Sequence, residues 1–265
     1  MIKRIESSDN PFIKKASSLK NKKYRDKENL FITEGIKICE DILWDSKKNK
    51  YIQNLILTES NEELLSQEPY ASFINKTIVI KEKQVKEITD TVTPQGVFLL
   101  LQKEVLDLNV EIKNYSRVLI LDGVADPGNM GTLIRTALAA KFDAIISLKG
   151  SVDAYNPKVV RSTMGAITKI DIFDSLDPQE TVSVLKSSGF TIFAADLKGK
   201  RTIYDNFPEE KAALVMGSEA KGINLPEENF DMKITIPMNE KTESLNVSVA
   251  GGLLMYAINR SKFEK

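Results

Sequence analysis

The pattern of apolar and polar residues predicts two regions of mixed α/β structure. In the first hundred residues, NLILT, TIVI and GVFLLL are predicted to be buried strands, and IKICEDILW carries apolar residues at helical spacing. The second region has longer, nearly continuous apolar runs, namely VLIL, AII, ITKIDIF, FTIFAA, AALVM and MKITI. Such runs are typical of a mostly parallel sheet covered by helices on both faces. Helical patterns fall between them, at 129–141, 157–165, 178–188 and 245–263.

These patterns predict a two-domain α/β protein. Residues 1–105 form the smaller domain, residues 106–116 lose the preceding rhythm and are predicted to be a linker, and residues 117–265 form the larger domain. A chain of 265 residues is long enough for two domains of ordinary size.

The composition excludes several kinds of chemistry. The chain has no histidine, which excludes serine-histidine hydrolysis and zinc-histidine catalysis. Cys39 stands alone, so neither an internal disulfide nor a cysteine-based metal cluster can form, and we expect no metal. No apolar run approaches the length of a membrane helix and no signal-peptide pattern is present, so we expect a cytoplasmic protein without a membrane partner.

A formal net charge of zero means that any attraction to nucleic acid must be local. Residues 14–27, KKASSLKNKKYRDK, supply a basic run that we interpret as a contact for RNA phosphates. A solvated helix face is the competing interpretation of the same run.

Three polar turns follow predicted strands of the second domain, where ligands of parallel sheets bind. The first, LDGVADPGNMGTLIRTA, leads from Asp122 into a helix that carries Arg135. It is not a P-loop, because Asn129 and Met130 replace the lysine and hydroxyl residue. The second is LVMGSEAKGINLP and the third is IPMNEKTESLNVSVAGGLLMYAI. Each could be an ordinary capped turn, but the three together favour a binding site.

Together the three turns resemble the motifs of the SpoU (TrmH-like) family of RNA ribose 2′-O-methyltransferases, in the SPOUT superfamily. The matching positions are Asp126, Pro127, Asn129, Gly131 and Arg135; Gly217, Ser218, Glu219 and Gly222; and Ile236, Pro237, Met238, Ser244, Leu245, Asn246, Val247 and Ala250. NPKVVRSTMGA also looks like a family segment, and RDKENLFITEG and PQG resemble the ribosomal-protein-like RNA-binding domain that precedes many members. Lys141 and Ala220 stand where the family often has glycine.

The resemblance implies a trefoil-knotted, mostly parallel sheet, a small RNA-binding domain in front of it, and a homodimer formed through the catalytic domain. It also implies S-adenosylmethionine as cofactor, held mainly by the backbone of Ala195, Gly217, Ile236, Met238 and Leu245. Gly217 is expected to leave space where the cofactor meets the backbone. The implied catalytic residues are Arg135, Asn129, Glu219, Ser244 and Asn246. We interpret Arg135 as a contact for the substrate phosphate, because arginine keeps its proton at neutral pH and is therefore a poor base.

The dimer contact is expected to involve the last predicted helix. Gly251 and Gly252 lie within it, where each costs roughly 1 kcal/mol relative to alanine, and close backbone packing would offset that cost. The apolar residues beside them are Val249, Leu253, Leu254 and Ile258. The competing interpretation is that this face packs only inside its own chain.

The two-domain layout resembles that of family members that act on ribosomal RNA. We therefore expect ribosomal RNA to be the substrate. The alternative is that the protein is a transfer RNA ribose methyltransferase. A catalytically silent RNA-binding relative would be expected to lack Arg135 or Asn246, and both are present. A serine-lysine hydrolase is disfavoured, because the S-x-x-K spacing of Ser218 and Lys221 recurs elsewhere in the chain. Neither the motifs nor the resemblance predicts which nucleotide and base are methylated or which group accepts the proton.

Overall fold

The computed structural model describes residues 2–264 and divides the chain into two compact units. The first unit contains the chain up to Val105 together with Tyr155–Thr168. The second contains Leu106–Ala154 and the chain from Lys169 onward. The first unit is thus assembled from two separate stretches, which the sequence pattern did not indicate.

The first unit is built on a five-stranded mixed sheet in the order β1-β4-β3-β5-β2. Its strands are β1 Lys3–Ile5, β2 Leu30–Glu34, β3 Ile52–Thr58, β4 Thr77–Ile80 and β5 Val97–Gln102. Its helices before residue 105 are α1 Pro11–Ser18, α2 Lys22–Glu28, α3 Ile36–Trp44 and α4 Glu82–Ile88, with 3-10 helices at Asn49–Tyr51, Glu59–Ser66 and Tyr70–Lys76. The three predicted strands are present as β3, β4 and β5, and the predicted helix is α3; β1, β2, α1, α2 and α4 add to them.

The core of the first unit lies between the sheet and the helices α1 and α4. Alternate residues of β5 face it, which is why Phe98 and Leu100 are buried there beside Ile13 of α1 and Val85 of α4. The segment Tyr155–Thr168 joins this unit through Tyr155, whose ring centroid lies 5.0 Å from that of Phe31.

The second unit is a seven-stranded sheet in the order β10-β12-β9-β11-β6-β7-β8, in which every neighbouring pair is parallel. The strands are β6 Arg117–Asp122, β7 Ala144–Leu148, β8 Asp171–Leu176, β9 Thr191–Ala195, β10 Arg201–Thr202, β11 Ala212–Gly217 and β12 Met232–Thr235. The helices of this unit are α5 Leu108–Glu111, α6 Pro127–Ala139, α8 Pro178–Ser187 and α9 Val247–Ile258. The helix α7, Pro157–Ser162, lies between α6 and α8 in the chain but belongs to the first unit. The expected mostly parallel α/β fold is confirmed.

The segment predicted as a linker, 106–116, packs as part of the second unit. It forms the short helix α5 and a 3-10 turn, and its apolar side chains Leu108, Ile112 and Tyr115 are buried in the core with β6 and β7. The apolar residues Leu106, Leu108, Val110 and Ile112 alternate at a spacing of two rather than at helical spacing, so the sequence pattern alone did not reveal this helix.

Polar caps fix where the helices beside the central strands begin. Every residue of β6 is buried, and the chain then turns outward so that Asp126 caps α6 by accepting a 2.8 Å hydrogen bond from the backbone N–H of Asn129. Pro127 follows at the first helical position, where its missing N–H costs nothing. Within residues 2–264 no helix is long and apolar enough to cross a membrane.

Lys141 occupies a left-handed backbone conformation, with φ +58°, which explains why glycine is often found at this position in the resembled family. Other contacts offset the strain. The side-chain nitrogen of Asn259 donates to the Lys141 carbonyl at 3.2 Å, and the Lys141 ammonium lies 4.3 Å from the centre of the Phe263 ring. The departure from glycine is therefore tolerated in this chain.

Helix α9 packs on α6 through Gly251. A Cβ at this position would lie 2.4 Å from Cδ2 of Leu133, whereas one at Gly252 would meet only Thr136 at 3.4 Å. Leu254 and Ile258 are buried in the same chain, while Val249 and Leu253 are exposed. Gly251, Leu254 and Ile258 therefore pack inside their own chain, as the competing interpretation of this helix predicted.

We predict that Gly251→Val lowers the free energy of unfolding by about 2 kcal/mol or more, because it overpacks the contact with Leu133. Gly252→Ala is the matched control and should raise stability by up to about 1 kcal/mol through helix propensity. Urea unfolding of both variants measures the difference. Equal stability of Gly251→Val and the wild type would contradict the packing described here.

Candidate active site

A cavity of about 280 Å³ opens at the carboxyl ends of β9, β11 and β12 and at the start of α9. Its walls are mainly apolar and include Leu197, Met216, Val247, Ala250 and Leu254. This is the edge of a parallel sheet at which ligands bind. The structure therefore brings the second and third sequence motifs to one cavity.

The five residues predicted to contact a cofactor all line this cavity: Ala195, Gly217, Ile236, Met238 and Leu245. Within residues 2–264, the backbone groups of Ile236, Met238 and Leu245 form no hydrogen bond with the rest of the chain. Such groups need a partner, either water or a ligand. An apolar cavity edged by unused donors and acceptors suits a ligand with a flat, weakly polar ring system.

The buried carboxylate of Asp122, at the end of β6, holds the loop that follows β11. It accepts hydrogen bonds from the backbone N–H of Asn224 at 2.6 Å, from the Asn224 side chain at 3.0 Å and from the backbone N–H of Leu225 at 2.8 Å. No role was predicted for Asp122 from the sequence. A carboxylate that ends an otherwise apolar strand was the available signal.

Gly217 is required by the turn itself. A Cβ there would lie 2.3 Å from the backbone carbon of Gly222, and the turn closes with two backbone hydrogen bonds between Ser218 and Gly222, of 2.8 and 2.9 Å. The backbone of Gly222 occupies the place of a side chain, so the turn alone requires glycine here. The expectation that Gly217 meets a cofactor stays a prediction. Sequence spacing could not distinguish a ligand contact from a backbone contact.

Three side chains from distant parts of the chain form a polar cluster of Asn129, Glu219 and Asn246. Oε1 of Glu219 accepts hydrogen bonds from Nδ2 of Asn129 at 2.9 Å and from Nδ2 of Asn246 at 2.8 Å. The same Asn246 nitrogen lies 3.0 Å from Oδ1 of Asn129. The cluster therefore joins the starts of α6 and α9 to the loop after β11.

Asn246 also begins helix α9. Its Oδ1 accepts hydrogen bonds from the backbone N–H groups of Ser248 and Val249, at 3.0 and 3.3 Å. One face of the amide thus caps the helix while the other reaches Glu219. Folding and site geometry depend on the same residue.

The two remaining catalytic candidates lie apart from the polar cluster. Ser244 lines the cavity with an exposed side chain. Arg135 is exposed on α6 and does not line the cavity, and within residues 2–264 its guanidinium has no hydrogen-bond or ion-pair partner. The structure therefore brings Asn129, Glu219, Asn246 and Ser244 to the cavity region, and it leaves Arg135 free.

Asp196, which the sequence analysis missed, also lines the cavity. The backbone N–H of Lys198 and the ammonium of Lys233, 3.0 Å away, lower the pKa of Asp196 below its usual value. The ion pair fixes the turn that carries Leu197 to the cavity. Within the described residues, no group of three or more acidic or cysteine side chains is arranged to hold a metal ion.

The fold and the site define an α/β enzyme whose ligand binds at the carboxyl edge of a parallel sheet. Residues 116–256 match the SpoU rRNA Methylase family, and residues 10–99 match the MRM3-like substrate binding domain. The chain belongs to the SpoU rRNA Methylase family and is an RNA methyltransferase.

Relatives and solved structures agree with this assignment. The 23S rRNA (guanosine(2553)-2′-O)-methyltransferase RlmP of Bacillus subtilis is 32% identical, over 96% of this chain and 98% of the relative. The 23S rRNA (guanosine-2′-O-)-methyltransferase RlmB of Neisseria meningitidis is 30% identical, over 84% of this chain and 92% of its own. The crystal structure of an AdoMet-bound rRNA methyltransferase from Sinorhizobium meliloti is similar with a TM-score of 0.83 and 27% identity, covering 98% of both chains.

We predict that the two roles of Asn246 can be separated. Asn246→Ser keeps a good helix cap but cannot reach Glu219, so its free energy of unfolding should stay within about 0.5 kcal/mol of the wild type. Asn246→Ala removes the cap and should cost about 1 kcal/mol. Thermal unfolding monitored by circular dichroism tests both; equal melting temperatures for the two variants would contradict the capping role.

Proposed function

We propose that this protein transfers a methyl group from S-adenosylmethionine to a ribose 2′-hydroxyl of ribosomal RNA. The observation that carries the proposal is the apolar cavity of about 280 Å³ bordered by Ser244 and by Glu219 of the polar cluster, in a chain of the SpoU rRNA methylase family. Relatives of this chain are named as 23S rRNA 2′-O-methyltransferases.

The cavity fits the cofactor. Its apolar walls suit the adenine ring, and the unused backbone groups of Ile236, Met238 and Leu245 are available for the polar edge of that ring. Ala195 and Gly217 complete the contact set. When bound, the cofactor supplies an activated methyl group, and no metal is needed for the transfer.

The chain positions the ribose. Both amides of the polar cluster donate to Oε1 of Glu219, and within residues 2–264 Oε2 has no partner, so it can accept a hydrogen bond from the ribose hydroxyl. Asn129 and Asn246 keep the carboxylate in place, and Ser244 orients the bound molecules. Positioning of this kind supplies much of the acceleration of a two-substrate reaction.

Arg135 binds the phosphate beside the reacting nucleotide in this proposal. Its guanidinium is exposed and unpaired within the described residues, so it is free to form two parallel hydrogen bonds with phosphate oxygens.

A homodimer through the catalytic domain is part of the same proposal. Val249, Leu253 and Tyr256 follow one another along α9 at helical spacing and are 53%, 43% and 45% exposed. An apolar row of this kind on the surface is suited to association with a second copy. We also infer a trefoil knot, a cytoplasmic location, and a division of the chain into a substrate-binding domain at 1–105 and a catalytic domain at 117–265.

We predict that Ala250→Leu reduces the affinity for S-adenosylhomocysteine at least tenfold, because the added side chain projects into the cavity. Stability without ligand should change little. Ala139→Leu, on the exposed surface of α6, is the matched control and should bind normally. Isothermal titration calorimetry measures both, and undiminished affinity of Ala250→Leu would place the cofactor elsewhere.

We predict that Arg135→Ala lowers the turnover of methyl transfer by at least a hundredfold while the melting temperature and cofactor affinity stay unchanged, the pattern of a lost transition-state contact. Arg135→Lys should restore little, since an ammonium cannot make the forked contact. Single-turnover transfer of labelled methyl groups to ribosomal RNA measures this. Wild-type turnover in Arg135→Ala would remove the residue from the site.

A further inference from the structure

The end of helix α3 presents an aromatic side chain to solvent without a partner. Trp44 is the sole tryptophan of the chain and is 65% exposed. Within residues 2–264 its indole takes part in no ring contact, and its N–H has no acceptor. The neighbouring Ile42 and Leu43 hold the helix on the core of the first unit, so the fold does not use Trp44.

Two lysines without carboxylate partners follow in the next turn. Oδ1 of Asp45 accepts hydrogen bonds from the backbone N–H groups of Lys47 and Lys48, at 2.9 and 3.3 Å, which keeps the turn compact. Lys48 pairs with Glu104 at 2.7 Å. Lys47 and Lys50 are exposed and, within the described residues, form no ion pair. The Lys50 ammonium lies 4.9 Å from the centre of the Tyr51 ring, a contact that does not neutralise its charge. Positive charge therefore remains available in the turn that follows Trp44.

The basic run at 14–27 is in part already paired inside its own chain. Lys14 pairs with Asp9, Lys15 with Glu28 and Lys20 with Asp90, at 2.8 to 2.9 Å. Arg25 is 2% exposed, and its guanidinium donates to two backbone carbonyls. Much of the charge that the sequence places in this run is thus already neutralised.

We propose that Trp44, Lys47 and Lys50 form a binding platform for single-stranded RNA, on which one base stacks against the indole while the two ammonium groups contact the flanking phosphates. A free aromatic face next to unpaired cations is the combination that binds unpaired bases together with their backbone. The inference rests on the proposed function, because it assigns the platform to the RNA substrate.

Trp44 itself reports the contact, since it is the chain's sole indole. Titration of the full-length protein with a short unstructured oligouridylate should strongly quench its fluorescence. Heparin, a polyanion without bases, should compete for binding but leave the emission almost unchanged. Equal quenching by both polymers, or unchanged emission at saturating RNA, would overturn the stacking contact.

Variants test the same platform without relying on fluorescence. In filter binding to ribosomal RNA, Trp44→Ala should weaken affinity about tenfold and Trp44→Phe should restore most of it. Replacing Lys47 and Lys50 with alanine should reduce the log-log salt slope by about 0.7 per lysine, whereas replacing the paired Lys14 and Lys15 should not.

Cofactor affinity should be unchanged in every one of these variants, which separates this proposal from the proposed methyl transfer. If the wild type failed to methylate RNA, the quenching experiment would still decide whether the platform binds it. Wild-type RNA affinity and salt slope in the Trp44 and lysine variants would overturn the proposal.

Discussion

The buried carboxylate of Asp122 is the constraint on which the candidate active site depends. It accepts three hydrogen bonds from a loop that lies more than one hundred residues further along the chain. A buried carboxylate without such partners would cost several kcal/mol, so the loop after β11 is held against the end of β6. Once it is held there, the turn from Ser218 to Gly222 closes and presents Glu219 to Asn129 and Asn246. The site is therefore assembled before any ligand arrives.

The same residues that form the site also define the helices. Asn246 caps α9, and Asn129 lies in the first turn of α6, so the polar cluster joins two helix starts. Further along, α9 packs on α6 where Gly251 meets Leu133. An error in this packing would move Asn246 relative to Glu219. Stability and the geometry of the candidate site are consequently coupled in the second unit.

The sequence predicted the local elements well and the long-range contacts poorly. Continuous apolar runs located β6, β7, β9 and β11, because buried parallel strands leave few polar positions. Pairing of Asp122 with Asn224, the close approach of Gly217 to Gly222 and the grouping of Tyr155–Thr168 with the first unit all depend on three-dimensional proximity. The basic run at 14–27 is a further case, since its counter-ions Asp9 and Asp90 could be identified only from the structure.

The central claim is methyl transfer to a ribose hydroxyl, and the position of a transferred methyl group tests it most directly. The purified protein is incubated with ribosomal RNA and S-adenosylmethionine labelled in its methyl group, and the RNA is then hydrolysed with alkali. A methylated 2′-oxygen cannot attack the adjacent phosphate, so the account predicts that the label appears in alkali-resistant dinucleotides. Label in mononucleotides would show methylation of a base and would contradict the account, as would a complete absence of transfer.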